Sequence, residues 1–493
     1  MDQSNANMTN PADIGKICCL ALATAVGRQK VVSPGSTEYD AALHSYFSTQ
    51  QASLQPSCIV LPQSAEDVSA AVKSLVQLQE DGTSCQFAVR SGGHTSWAGA
   101  SNIQSGVVID LGSFKTVELA ADKSTVSVGV GAIWGDVYKA LEPHGLSVNG
   151  GRASTVGVGG LTLGSGVSYT SPRHGWTCDA ALQFQIVLAD GSVVLADATT
   201  RPDLFRALKG GGNNLGIVTR ITFETFKQGP VWSGTVYSLD SAAAEATIEN
   251  FVEFNSATSY DEYASVMTSF VYNQARGLPV IANLLQYTKE VSGTPAAFTN
   301  FMAVPNIYNS TSIASIQATT EATAALNPGG VRSLTYAVTL LSTKEVIRAA
   351  CDKWRAHYPT IKDVTSIIFS LVLEPLPPIM YQRHAATNIL GLADRTEALV
   401  IAELSVSWAN ESDDALVNST ARALVDDIIA EARSLGGYDP YIFANYANKD
   451  QAQDVIGSYG SESVAFLRKV REEVDPKDVF TRMVPGGYKI PDH

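Results

Sequence analysis

Short apolar runs alternate with helical spacings over the first half of the chain, and the helical segments lengthen in the second half. Residues 58–61, 87–90, 107–111 and 125–130 read as strands. Ser64, with Asp67 three residues on, opens a helix through a capping-box pattern, and residues 133–144 read as a helix closed by Gly145. Residues 181–196 read as a hairpin about Asp190-Gly191, a type I′ turn signal, and 216–226 as a further strand. Longer helices follow at 343–357 and 413–435, the latter stopped by Gly436-Gly437, and a last one at 461–473 precedes Asp475-Pro476. Residues 17–26 form an early apolar run that reads as the first helix of the fold or as a signal-peptide core, and the closeness of the next elements favours the helix.

Residues 396–408 alternate as a strand. One face carries Val400, Ala402, Leu404, Val406 and Trp408; the other carries Leu399, Ile401, Glu403, Ser405 and Ser407. Glu403 thus shares its face with apolar residues and hydroxyls, where a plain solvent face would hold more charge. Desolvation raises the pKa of such a carboxyl and suits it to proton transfer near neutral pH; a structural Glu is the alternative.

Composition narrows the class. Of 493 residues, 45% are hydrophobic and 17% charged, and Gly is abundant at 39, which is a globular composition with room for two or three domains. A net charge of -14 argues against nucleic acid or an anionic membrane as partner. No apolar run reaches the roughly 18 residues of a bilayer span. The six Cys form no CxxC pair and show no metal-ligand spacing, so no metal is expected; a disulfide from Cys18 or Cys19 to Cys58 is conceivable. Sequons at Asn7, Asn309, Asn410 and Asn418 are close in number to chance and leave the compartment open, secreted or cytosolic.

Glycine clusters at residues 91–216 and grows sparse over 231–435, which marks a domain boundary. The segment FAVRSGGHTSW, residues 87–97, runs from a strand into paired glycines and His94. Such a turn makes an anion-binding nest, and a neighbouring His would face what the nest holds; a hairpin with a surface His is the alternative. The second cluster, residues 150–166, interleaves glycines with Val156, Val158, Leu161 and Leu163, as a buried loop around a flat ligand would. The third, residues 209–219, is a Gly-rich turn leading into a strand. Gly129, Gly131 and Gly135 imitate a dinucleotide-binding turn, but the spacing is GxGxxxG and no acidic residue follows about 20 positions on, against a Rossmann unit.

With these three clusters in this order, the chain resembles the FAD-binding domain of the vanillyl-alcohol oxidase superfamily, and is most similar to its berberine-bridge-enzyme-like oxidases, particularly fungal ones. The resemblance runs from about residue 56 to 226 and resumes at 445–448, 458–460 and 484–487. It implies an α+β fold: a two-subdomain PCMH-type FAD-binding domain at 54–228 after a helical lead-in at 1–53, a substrate domain at 229–437 with an antiparallel sheet covered by helices, and a C-terminal segment, 438–493, returning to the FAD domain.

By the same resemblance FAD is bonded covalently to His94. The other cofactor residues implied are Arg90, Ser91, Gly92, Gly93, Thr95, Ser96, Trp97, Ala153, Ser154, Thr155, Val156, Gly157, Gly160, Leu161, Gly164, Gly166, His174, Gly175, Asp179, Gly216, Ile217, Val218, Tyr446 and Asn448. Many relatives add a second bond from a Cys where this chain has Ala153, so a single link is expected. The family's flavin gate falls on Val156, the residue associated with oxygen reactivity. Glu403 and Tyr446 fall where relatives carry catalytic groups; Arg383 and His384 are weaker candidates.

The expected activity is hydride transfer from a small organic substrate to flavin N5, with O2 as acceptor and H2O2 as product. A secondary-metabolite intermediate is favoured over an alcohol or sugar. A dehydrogenase of the same fold, a cyclase holding FAD, and a flavin-fold binding protein without catalysis are the alternatives. Oligomeric state is not legible.

Overall fold

The structure is a computed structural model that describes residues 11–256 and 260–492; the sequon at Asn7 lies outside them. The helix Pro11–Val26 turns Cys18, Leu22 and Val26, four residues apart, into the first core, and packs against the helix Ala65–Glu80. Ser64 caps the latter by accepting from Asp67 N–H. Cys19 is bonded to Cys58, one of the two pairings conceived above, and Cys18 to Cys85, which was not foreseen. Cys178 and Cys351 are buried free thiols.

Strands Val31–Val32, Cys58–Val60, Val107–Asp110 and Phe87–Arg90 form one sheet in that order, the last three parallel. A second, antiparallel sheet has the order Val117–Leu119, Thr125–Gly129, Ile217–Glu224, Ala181–Val187, Val193–Asp197. Its hairpin forms as expected, but the turn is not type I′. Only Gly191 has positive φ, and Gly191 N–H bonds Leu188 O while Leu188 N–H bonds Ser192 O. This is a type I turn closed by a left-handed glycine. Asp190 Oδ1 accepts from Ser192 N–H, which holds Asp190 at negative φ.

Gly129 and Gly131 do open a strand-to-helix turn, but the space where their Cβ atoms would sit is filled by the chain itself. A Cβ at Gly129 would sit 2.4 Å from Phe114 O, and one at Gly131 2.0 Å from Leu111 O. These glycines admit the chain's own backbone.

Among the described residues nine strands build the largest sheet, which is antiparallel throughout. Its centre is Leu278–Tyr287, Ala264–Asn273, Ile368–Leu376, Leu399–Trp408 and Arg332–Leu341, in that spatial order. Helices Asp240–Phe254, Lys344–Ile361 and Asp414–Ser434 cover one face, burying Val400, Ala402, Leu404, Val406 and Trp408 in a second core. The face assignment made from alternation therefore holds. Leu399 and Ile401, on the opposite face, join the first core instead.

The last fifty residues close on the glycine clusters. Asn445 Oδ1 accepts from Gly166 N–H at 3.0 Å and its Nδ2 donates to Leu161 O at 3.1 Å. Asn214 Nδ2 donates to Tyr488 O at 2.7 Å, and Asn213 Nδ2 to Gly486 O at 3.0 Å. No helix among the described residues is long and apolar enough to cross a membrane.

Candidate active site

The first and second glycine clusters touch backbone to backbone. A Cβ at Gly92 would sit 2.6 Å from Gly157 Cα, and one at Gly157 2.6 Å from Gly92 Cα. Gly93 has φ +66°, which a side chain would strain. Ser91 Oγ donates to Val130 O and so pins the turn to the second sheet. Gly160, by contrast, has open space where its Cβ would be. The clusters thus form one cradle, closed behind and open in front. Gly157→Ala should force these backbones apart. The expected loss is about 1–3 kcal/mol with reduced flavin content, read by thermal unfolding and absorbance; an unchanged Tm with full flavin would contradict the packing argument.

His94 is half-buried at the open side. Its ring stacks on Phe47 at 4.0 Å, and Nε2 lies 3.2 Å from Thr155 Oγ1. Burial lowers its pKa to about 4, so the imidazole is neutral. Ala153 and Val156 flank the exposed Thr155 and are half-buried; the Ala153 methyl offers no nucleophile.

Ser96 Oγ reaches Thr335 Oγ1 at 3.2 Å, and Thr335 pairs with Ser405 on the large sheet, two residues along from Glu403. This contact brings the uncovered face of the large sheet against the cradle. Glu403 lies on that face, half-buried, with Val372 and Ala337 as cross-strand neighbours. Glu374 is two residues beyond Val372 on the same face. Arg152 Nη2 donates to both Glu374 oxygens, at 2.7 and 2.8 Å, and to Tyr446 Oη at 2.5 Å; Tyr446 O–H donates to Glu374 Oε1 at 3.0 Å. Desolvation, and then the negative charge of Glu374, push Glu403 up to about 8, against the opposing pull of Arg152. Burial lifts the Tyr446 phenol well above its ordinary value.

Of this group, the sequence pattern pointed to Glu403 and Tyr446 but not to Arg152 and Glu374. The signal for Glu374 was present: it stands alone in the apolar run Leu371-Val372-Leu373-Glu374-Pro375-Leu376. Arg152 is masked by its glycine neighbours.

The other expected cofactor residues divide by environment. Leu161 packs where a Cβ at Gly151 or Gly166 would be, and Gly164 faces the Asn445 amide. Thr95 is half-buried beside His94, and Trp97 lies 6.2 Å from the Tyr488 ring. Ser154 N–H bonds Thr320 O. Arg90 is structural in its contacts: it donates to Ala42 O, Ser45 and Asp110 and stacks on Tyr46 at 3.9 Å. Asp179 accepts from Trp176 N–H and Asn388 Nδ2, and Asn448 ties the tail to Thr335 O. Ile217 and Val218 lie in the first core behind Gly216.

His174 stacks on Phe226 at 4.2 Å beside Gly175; burial, then Arg173, Arg383 and His384, lower its pKa to about 4. Arg383 donates to Pro172 O and pairs with Glu262 at 3.6 Å, and His384 adjoins Gly175, so neither makes a contact with the Glu403 group.

A family described as FAD binding domain matches residues 56–197, the stretch holding the first two clusters. The FAD-dependent monooxygenase sdcF of Emericella nidulans is 37% identical over 489 residues, which cover 97% of this chain and 99% of that one. The chain belongs to the same family of FAD-dependent oxidoreductases as sdcF. This flavoprotein is also 73% identical over 473 residues to the oligopeptidase PhomG' of Diaporthe leptostromiformis, covering 96% of the chain but only 37% of that relative's length. In fold, the flavoprotein matches 6-hydroxy-D-nicotine oxidase from Arthrobacter nicotinovorans with a TM-score of 0.77 at 21% identity, over 94% of this chain and 98% of that one.

Proposed function

We propose that this flavoprotein is an oxidase in which FAD, tethered to His94 alone, takes hydride from a small organic substrate whose proton is removed by Glu403. The observation that carries this is the placement of Glu403, a carboxyl with pKa about 8, on the sheet face that meets the glycine cradle. The cradle fits the cofactor, because its glycines are closed behind by backbone while Gly160 and Thr155 face open space. When bound, FAD supplies a two-electron acceptor and, with O2, a route to H2O2.

The protein's own residues supply position and proton control. Tyr446 is a poor base, since its phenol is raised and already donates to Glu374. Glu374, paired with Arg152, fixes the Tyr446 hydroxyl and adds negative charge near Glu403. Glu403, otherwise without a partner among the described residues, is left to accept a proton from a substrate O–H or N–H. Ser405, Ser407 and Ser370 line the same face and suit a polar, oxygenated substrate. A secondary-metabolite intermediate fits this better than a purely apolar one.

A monooxygenase reading is favoured by the activity named for the relative sdcF. The two separate cleanly: an oxidase returns one H2O2 per substrate and places no O2-derived oxygen in product, so turnover under 18O2 with product mass analysis decides. For the tether, acid precipitation should leave yellow colour in the wild-type pellet and release it from His94→Ala. Free release from the wild type would end the covalent assignment.

A further inference from the structure

Two features that the flavin site leaves unused meet at one edge of the large sheet, and a third lies in the first core. There the outermost pairings are two short strands, Tyr308–Asn309 and Ser312–Ala314, both antiparallel to Val231–Leu239. Asn309 pairs with Val236 and Ile313 with Trp232. Those partners are four residues apart, so Asn309 and Ile313 lie on one face, and Ile307 immediately precedes the first of the two strands. Ile307 is 59% and Ile313 43% exposed. An apolar sheet edge of this kind invites association with another chain and is normally covered or charged.

Between these two isoleucines, Asn309 opens the sequon Asn309-Ser310-Thr311. The side chain is exposed, and its Oδ1 accepts from Thr311 N–H at 2.8 Å. Among the described residues Nδ2 has no hydrogen-bond partner. The turn is held outward because Thr311 crosses over Gly234, where a Cβ would sit 2.4 Å from Thr311 Cα.

The third feature is redox chemistry. Adjacent cysteines of the first helix are bonded to Cys58 and Cys85, both with Cα separations of 6.0 Å. Paired structural disulfides belong to oxidising compartments, where sequons are also glycosylated. Asn410 and Asn418 are exposed as well, but no apolar edge surrounds them in the same way.

We propose that Asn309 carries an N-linked oligosaccharide that covers this apolar edge, on a chain that matures in an oxidising, glycosylating compartment. The Asn309 amide nitrogen bonds to the anomeric carbon of a lipid-pyrophosphate-linked oligosaccharide. The anomeric C–O bond breaks, the lipid pyrophosphate leaves with its electron pair, and the amide gives up one proton. Each disulfide forms by loss of two electrons and two protons from a thiol pair to the disulfide of a protein oxidoreductase.

The test uses the full-length protein from the cells that make it, with thiols alkylated at lysis. Release by peptide N-glycosidase should convert residue 309 to Asp in the mapped peptide, and alkylation should mark only Cys178 and Cys351. Recovery of residue 309 wholly as Asn, or alkylation of Cys18, Cys19, Cys58 or Cys85, would overturn the proposal. For the covering role, N309Q, T311A and enzymatically deglycosylated wild type should all show several-fold more self-associated protein by sedimentation, with flavin absorbance unchanged. If the deglycosylated wild type sediments like the untreated protein, the covering role is wrong.

Discussion

Glu403→Gln should retain its flavin and lose about 10²–10⁴-fold in the rate of flavin reduction by substrate, the usual contribution of a positioned base. The amide keeps the size and the neighbours Val372 and Ala337 but accepts no proton. The sign of the pH dependence follows from the raised pKa. Below about 8 Glu403 is protonated and idle as a base; above it the carboxylate is present. The wild-type rate should therefore rise with pH through about 8, and that limb should vanish in the variant. Anaerobic stopped-flow bleaching of the flavin at a series of pH values measures both. A wild-type rate already flat at pH 6, or a variant within a few fold of wild type, would remove Glu403 from the proton-transfer role.

Arg152→Met should be the most destabilising change in the site, by about 3–5 kcal/mol, because it strands the Glu374 carboxylate without its cation. Both side chains are nearly buried, at 8% and 3% exposure, so water does not replace the lost hydrogen bonds. The double variant Arg152→Met, Glu374→Leu should recover much of that loss, since it removes the unpaired charge as well. Denaturant unfolding of the three proteins, each saturated with FAD, gives the comparison. A double variant no more stable than Arg152→Met would mean that the pair is not what the single change disrupts.

How far the sequence carries is shown by these carboxylates. Glu403 was legible because a period of two assigns each strand residue to a face, and one carboxyl among apolar and hydroxyl residues stands out. Glu374 gives the same signal in its own strand, yet its meaning depends on a partner 222 positions away. Pairing across that distance is set by sheet order and by packing of the cradle against the sheet, which no local pattern encodes. The first two glycine clusters read as loops around a ligand, but nothing local shows that Gly92 and Gly157 need their lack of side chains to meet each other. The hairpin position was read correctly and its turn type was not, because Asp190 satisfies a neighbouring N–H and so stays out of the left-handed region. The Gly129–Gly131 turn imitated a cofactor site for a related reason: close approach by any backbone, ligand or protein, demands glycine.

The hydrogen bonds from Gly166 to Asn445, from Asn214 to Tyr488 and from Lys489 to Asn213 have a kinetic meaning. They join positions 279, 274 and 276 residues apart. At about 5–20 residues per second of synthesis, the ribosome needs on the order of tens of seconds after making the second and third glycine clusters before it delivers their tail partners. Through that interval these loops lack their final contacts, so fastening of the cradle waits on synthesis of residues 445, 488 and 489. A chain stopped before residue 445 would keep the strands of the large sheet but lack the partners of Gly166, Asn213 and Asn214.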